Sequence, residues 1–176
     1  MNVHKTFADM KDGTSKTIVM SERCIGGGDD RAIRSSYAYR TNGADIFPQN
    51  CLNYKGPGFT FKDTMATGDL WGGVVGQRMS DPIMYYSMFN TVLPPNSPSC
   101  AWASDNGGVF SATSYHTGGV NVCWGDGSVT FASDTVNVGT QLATMRVYSP
   151  RLTGGASPFG VWGACGSING GESERL

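Results

Sequence analysis

The clearest periodic signal in the chain is the alternation of apolar and polar positions across residues 119–133, GVNVCWGDGSVTFAS. Val120, Val122 and Trp124 fall on one side of an extended strand, with Asn121 and Cys123 on the other. Asp126-Gly127 supplies the turn, because this pair tolerates the positive φ angles of a tight two-residue hairpin loop. That loop sets Val122 against Phe131 and Trp124 against Val129, with Asn121 opposite Ala132 and Cys123 opposite Thr130. The predicted hairpin therefore gathers Val129 and Phe131 onto the same apolar face as Trp124.

Shorter patterns predict the remaining elements. Residues 17–22, TIVMSE, read as a strand approached through the turn Asp12-Gly13-Thr14-Ser15. Residues 34–40, RSSYAYR, predict a short strand with Tyr37 and Tyr39 on one face, and Phe59 with Phe61 predict another. That second strand sits in a region, 41–81, where turn formers dominate. Ile83, Met84, Tyr85, Met88 and Phe89 predict a helical turn or two over 82–90, and Leu142 with Met145 a short helix over 138–146. Pro94-Pro95-Asn96-Ser97-Pro98 excludes regular structure, since three prolines remove donors and fix φ. Long amphipathic helices are absent, which argues against folds built on βαβ units. The expected class is α+β, mainly β: an antiparallel sheet with long Gly/Pro-rich loops, forming one domain over residues 1–176.

Composition narrows the function classes. Only 15% of residues are charged, low for a cytosolic enzyme, and the formal net charge of −1 gives no reason to expect a nucleic-acid partner. Ten of the 13 Lys and Arg lie at or before Arg78, and none falls between Met79 and Met145. No segment reaches the roughly 18 apolar residues of a membrane span. The five cysteines show no CxxC spacing and no nearby His pattern, so zinc has no support.

Candidate chemistry centres on His116 and Asp126, which suggest a catalytic dyad with Ser114 as nucleophile. Within one hairpin the intervening strand holds the pair more than ~20 Å apart, with His116 near Asn137 at the base and Asp126 at the tip. The structural reading is therefore favoured: Asp126 shapes the turn, and His116 fixes the start of the strand through its ring nitrogens. Trp71, Trp124 and Trp162 are candidate sugar platforms. Trp124 belongs with the core, which leaves Trp71, in a Gly-rich loop, as the candidate ligand contact. Asp29 with Asp30, or Asp105 with Asn106, could offer oxygens to calcium, but neither pair has the fixed acidic spacing of an EF-hand. No other cofactor is expected. Gly26-Gly27-Gly28 matches no nucleotide-binding pattern.

Four segments carry a resemblance. The His-x9-Asp-Gly run from His116 to Asp126-Gly127 is similar to the signature of a large bacterial family of pilin-like exported proteins. DGTSKTIVMSE (12–22), LPPNSPSC (93–100) and VWGACGSINGGE (161–172) resemble three further motifs of that family, in family order. The resemblance makes Asp12, Gly13, His116, Asp126, Gly127, Gly170, Gly171 and Glu172 family-motif residues of structural character. It implies a short basic leader and a hydrophobic helix ahead of the globular region, so that the chain corresponds to a C-terminal portion. Such a sheet would normally pack on that helix, and its removal would leave an apolar face uncovered.

The expected function is non-enzymatic: a structural or interaction domain in a cell-surface filament or type II secretion-like apparatus, extracellular or at the cell surface. Expected partners are other pilin-like subunits or the protein's own N-terminal region. A secreted carbohydrate- or peptide-binding module is the alternative, and a secreted hydrolase using His116 a third. In an exported chain one or two disulfides are expected, and Cys51 with Cys100 is the favoured pair because both sit in turn-rich segments. The alternative leaves all five cysteines reduced. Glu172 is read as part of a terminal turn with a solvated end, or else as an ion-pair partner for an arginine of the N-terminal half.

Overall fold

A computed structural model of the chain describes residues 5–27, 31–39, 47–64, 70–72, 75–78, 80–81, 83–101, 108–147, 155–173 and 175–176. In chain order the elements are β1 (Ile18–Ser21), β2 (Ser36–Tyr39), α1 (Pro48–Leu52), β3 (Leu70–Gly72), α2 (Met84–Ser87), β4 (Cys100–Ala101), β5 (Gly108–Val109), β6 (Gly119–Trp124), β7 (Val129–Ser133) and α3 (Gly160–Cys165). The fold is mixed α+β and mainly β. One sheet has three antiparallel strands in the order β1-β6-β7, and the other has four in the order β3-β2-β4-β5. In the second sheet β2 and β4 run parallel, and the other pairings are antiparallel.

The hairpin forms where the alternation predicts it, but in a different register. Gly127 N–H donates to the Trp124 carbonyl at 2.9 Å, Trp124 N–H donates to the Ser128 carbonyl at 2.9 Å, and Gly127 sits at φ +84. The loop is therefore three residues, a turn closed by a left-handed glycine, rather than two. Val122 consequently faces Thr130, Asn121 faces Phe131, and Cys123 faces Val129. A one-residue slip moves a whole strand to the other face. Ala132 joins Val120, Val122 and Trp124 inside, and Val129 and Phe131 turn outward, 62% and 48% exposed.

A bulge in β1 adds to the same effect. Ile18 pairs with Trp124 but Met20 pairs with Cys123, so Val19 is the extra residue and Met20 points away from the core. The inner face of this sheet packs on Trp162 and Cys165 of α3 and on Ala112. The face opposite carries Met20, 67% exposed, on one edge strand and Val129 and Phe131 on the other, with β6 between them.

Differences from the sequence reading elsewhere have identifiable causes. Phe59 and Phe61 do not form a strand. Pro57–Phe59 is a 3-10 turn, and only isolated bridges, Ala32 with Thr60 and Lys55 with Phe61, pair this region. Residues 138–146 hold one hydrogen-bonded turn, with Thr144 and Met145 N–H groups on the Gln141 carbonyl, rather than a helix. α3 forms despite glycines at 160 and 163, poor helix formers, because Trp162 and Cys165 are both fully buried. Trp71 lies in β3 opposite Tyr37, not in a loop, and its side chain is outside the described residues.

The four-stranded sheet is buried through its centre, with Tyr37, Ala38, Cys100, Ala101 and Val109 all at zero exposure. Tyr37 stacks on Tyr85 of α2 at 5.4 Å and lies 6.1 Å from Phe110. Cys51 of α1 and Cys100 of β4 are joined in a disulfide, while Cys24, Cys123 and Cys165 are free. The favoured pairing is thus the one formed.

Candidate functional site

The motif residues gather at the two ends of the β6–β7 hairpin. At its base, Glu22 follows β1 and is held in place by its own backbone, since its N–H donates to the Asn121 carbonyl and its carbonyl accepts from Thr113 N–H. Its carboxylate accepts from Asn121 N–H at 2.7 Å and from the Asn121 side-chain amide at 3.2 Å, and pairs with His116 Nε2 at 3.0 Å. Burial pushes the Glu22 carboxyl up, but the bonds from Asn121 and the neighbouring His116 outweigh it and hold the group below its usual range. The ring of His116 thus reaches Glu22 across the sheet, while Asn137 instead bonds Gly139 and Trp162.

Beneath this pair lies a network that the sequence reading did not single out. Asn96 is fully buried in a left-handed conformation at φ +55, which Asn tolerates better than most residues. Its amide nitrogen donates to Asp134 at 2.8 Å and to the Gly119 carbonyl at 3.4 Å, and its oxygen accepts from Ser114 N–H at 2.9 Å. Ser114 Oγ donates to the Gly119 carbonyl at 2.6 Å and accepts from His116 N–H at 3.1 Å. Gly119 has no room for a side chain, since a Cβ would stand 2.0 Å from the Ala132 carbonyl and under the Phe131 ring. The available signal was Asn96 itself, a residue type that tolerates positive φ, set among three prolines.

At the tip, Asp126 accepts from Ser128 N–H at 2.9 Å and from Ser128 Oγ at 2.6 Å. The serine hydroxyl and amide hold its carboxyl below the usual carboxylate range. The turn over residues 12–15 docks here: Asp126 N–H donates to Thr14, and Gly125 N–H to Thr17. Asp12 in turn receives Gly170 N–H at 2.7 Å and Gly171 N–H at 2.8 Å, and Lys11 N–H reaches the Ile168 carbonyl. Gly13 and Gly171 both adopt positive φ in this junction. Glu172 accepts from Ser157 N–H, and no ion pair among the described residues includes it.

This arrangement separates the residues that a hydrolase would need together. The six residues of β6 rise about 20 Å between the His116 end and the Asp126 end. Ser114 spends its proton on a backbone carbonyl, and the His116 ring faces a carboxylate rather than a hydroxyl. Trp124 and Trp162 are fully buried, and Trp124 Nε1 bonds Thr130 Oγ1 at 2.9 Å, so neither offers a sugar platform. The calcium candidates Asp29, Asp30, Asp105 and Asn106 lie outside the described residues. Among the described residues no group of three or more His, Cys, Asp or Glu could hold a metal, and no helix is long and apolar enough to cross a membrane.

Residues 1–139 match the family described as Protein of unknown function (DUF1559). The chain belongs to that family. The DUF1559 match spans the turn at 12–15, the proline loop and the whole hairpin, including both Glu22 and His116. The closing segment at 161–172 lies beyond it, joined to the matched part through Asp12. No curated protein and no solved structure matches the chain.

Proposed function

We propose that this DUF1559 chain is the globular interaction domain of a pilin-like exported protein, non-enzymatic, working at the cell surface in a filament or a type II secretion-like apparatus. The observation that carries this reading is the outer face of the three-stranded sheet. Met20, Val129 and Phe131 stand there in adjacent rows, with Cys123 and Asn121 between them, and all three are largely exposed. Covering what remains exposed would contribute roughly 1–2 kcal/mol per side chain, enough for a subunit or helix contact. The Cys51–Cys100 disulfide supports export, because such bonds persist in oxidising compartments. The commitments of Ser114 and His116 to structural bonds support a role without chemistry.

The test is a surface substitution in the protein as expressed by its own cell. Phe131→Asp leaves the isolated domain folded and removes the protein from sheared, high-molecular-mass surface material. Unchanged recovery in that fraction would sink the reading. The alternative, a carbohydrate- or peptide-binding module acting through Trp71, is tested by retention on polysaccharide and its loss in Trp71→Ala.

A further inference from the structure

The chain holds three Asn-Gly pairs, Asn42-Gly43, Asn106-Gly107 and Asn169-Gly170. The first two lie outside the described residues, and the third sits in the turn gripped by Asp12. Such a pair carries a latent reaction. The side-chain amide of asparagine is an electrophile, and the backbone nitrogen of the next residue is its nearest nucleophile once that nitrogen has lost its proton. Glycine hinders the attack least, because no Cβ crowds the nitrogen and the backbone turns freely. Asn169 is exposed, so solvent reaches the reacting amide.

The backbone around this pair is held at four points. Lys11 N–H donates to the Ile168 carbonyl at 2.6 Å, and Asn169 N–H donates to Ser167 Oγ at 3.3 Å. Gly170 N–H donates to Asp12 Oδ2 at 2.7 Å, and Gly171 N–H to Asp12 Oδ1 at 2.8 Å, a pair of successive amides closed on one carboxylate. The bond at Gly170 decides the chemistry. It engages the proton that the nucleophile would have to lose, and it sets a negative charge where the amide anion would form. It also aims the nitrogen at Asp12, so that attack on Asn169 Cγ requires the bond to break.

We propose that Asn169-Gly170 is a self-modification site and that Asp12 is the latch that keeps it closed. When the latch opens, the Gly170 nitrogen gives its proton to solvent and bonds to Asn169 Cγ. The Cγ–Nδ2 bond breaks, and the amide leaves as ammonia after taking up a proton. Water then adds to either carbonyl of the five-membered imide and opens it to aspartate or isoaspartate at position 169. The sum is asparagine and water giving a carboxylic acid and ammonia, with nothing oxidised or reduced. The product sets a second carboxylate beside Asp12, and the isoaspartate form adds a methylene to the main chain. A brief opening re-latches, and a prolonged one is made permanent.

The experiment incubates the intact protein in mildly alkaline buffer and follows all three Asn-Gly pairs by peptide mass spectrometry, with isoaspartate read by enzymatic methylation. A synthetic peptide of residues 166–173 gives the unlatched rate. Asn169 in the parent converts on the order of 10-fold more slowly than in the peptide, and Asp12→Ala recovers most of that difference. Asn42 and Asn106 keep their parent rates in that variant. Asn96→Ala, which loosens the fold away from this junction, leaves Asn169 at the parent rate. In aged protein the converted chains exchange the Gly171 amide faster than the unconverted ones. The proposal is overturned if Asn169 converts as fast in the protein as in the peptide, or if Asp12→Ala leaves its rate unchanged. A slower rate in Asp12→Ala overturns it too, since the carboxylate would then be the base that starts the reaction. So does acceleration of all three pairs together, which reports general unfolding, or a Gly171 amide as protected after conversion as before.

Discussion

The two sheets solve the same problem in opposite ways. The three-stranded sheet is made from a contiguous hairpin and one distant strand, and one of its faces carries exposed apolar side chains. The four-stranded sheet is assembled from fragments of two to four residues, is buried through its centre, and is tied to α1 by a disulfide. Local sequence suffices to build the hairpin of the first, through alternation and a turn. The second has little local information and relies on covalent closure and on aromatic packing around Tyr37. A region that specifies itself can leave a face free for partners; a region that does not has to be enclosed.

Substitutions can break this contrast, beginning with the covalent link. The disulfide closes 49 residues, so replacing Cys51 and Cys100 by Ala costs about 4 kcal/mol. Thermal unfolding followed by near-UV circular dichroism should fall by on the order of 10 °C. A loss confined to the aromatic signal of Tyr37 and Tyr85, with Trp124 unchanged, would show that the two sheets melt separately.

Asn96 comes next. Asn96→Ala strands Ser114 N–H and the Asp134 carboxylate and places Ala at positive φ, for roughly 2–3 kcal/mol in denaturant titration. Asn96→Gly keeps the backbone free of strain and should lose less; equal losses would place the whole effect in the hydrogen bonds. Asp12→Ala removes both bonds to Gly170 and Gly171 for about 1–2 kcal/mol, read by faster amide exchange at those glycines.

A smaller effect appears with pH. The Glu22 carboxyl is held below its ordinary 4.5 in the folded protein, so the unfolded chain takes up its proton first as pH falls. The associated stability is complete above 4.5 and disappears as pH drops through the folded value. Glu22→Gln should flatten that acid limb of the melting profile, and an unchanged slope would remove Glu22 from the account. The smallest effect belongs to the outer face: Val129→Thr stays within about 0.5 kcal/mol of the parent as a monomer. A larger loss would mean that this face supports the fold itself.

The same contrast explains what could be read from residues alone. The hairpin, the strand at 17–22 and the turn helix near Tyr85 were legible because each shows its period within a few positions. The register of β7 was not, because Asp-Gly serves both a two-residue loop and a three-residue loop closed by glycine, and only the bond from Trp124 to Ser128 decides. The strands β4 and β5 are two residues long, below any period. At the site, His116 and Asp126 were visible as types, and their separation followed from strand geometry. Glu22 as the partner of His116, 94 residues away in sequence, required knowing that β1 lies beside β6.

The clamp from Asp12 onto Gly170 and Gly171 has a mechanical meaning. It joins positions 158 and 159 residues apart through one carboxylate. Tension applied across those two segments would load the two Asp12 bonds together with the Lys11 N–H bond to the Ile168 carbonyl before it reached either sheet. Such a link yields early and locally, and it can re-form without the strands having parted. A chain pulled across these two segments would then stretch at this junction first, as a fuse that resets, while the disulfide-bonded half stayed intact.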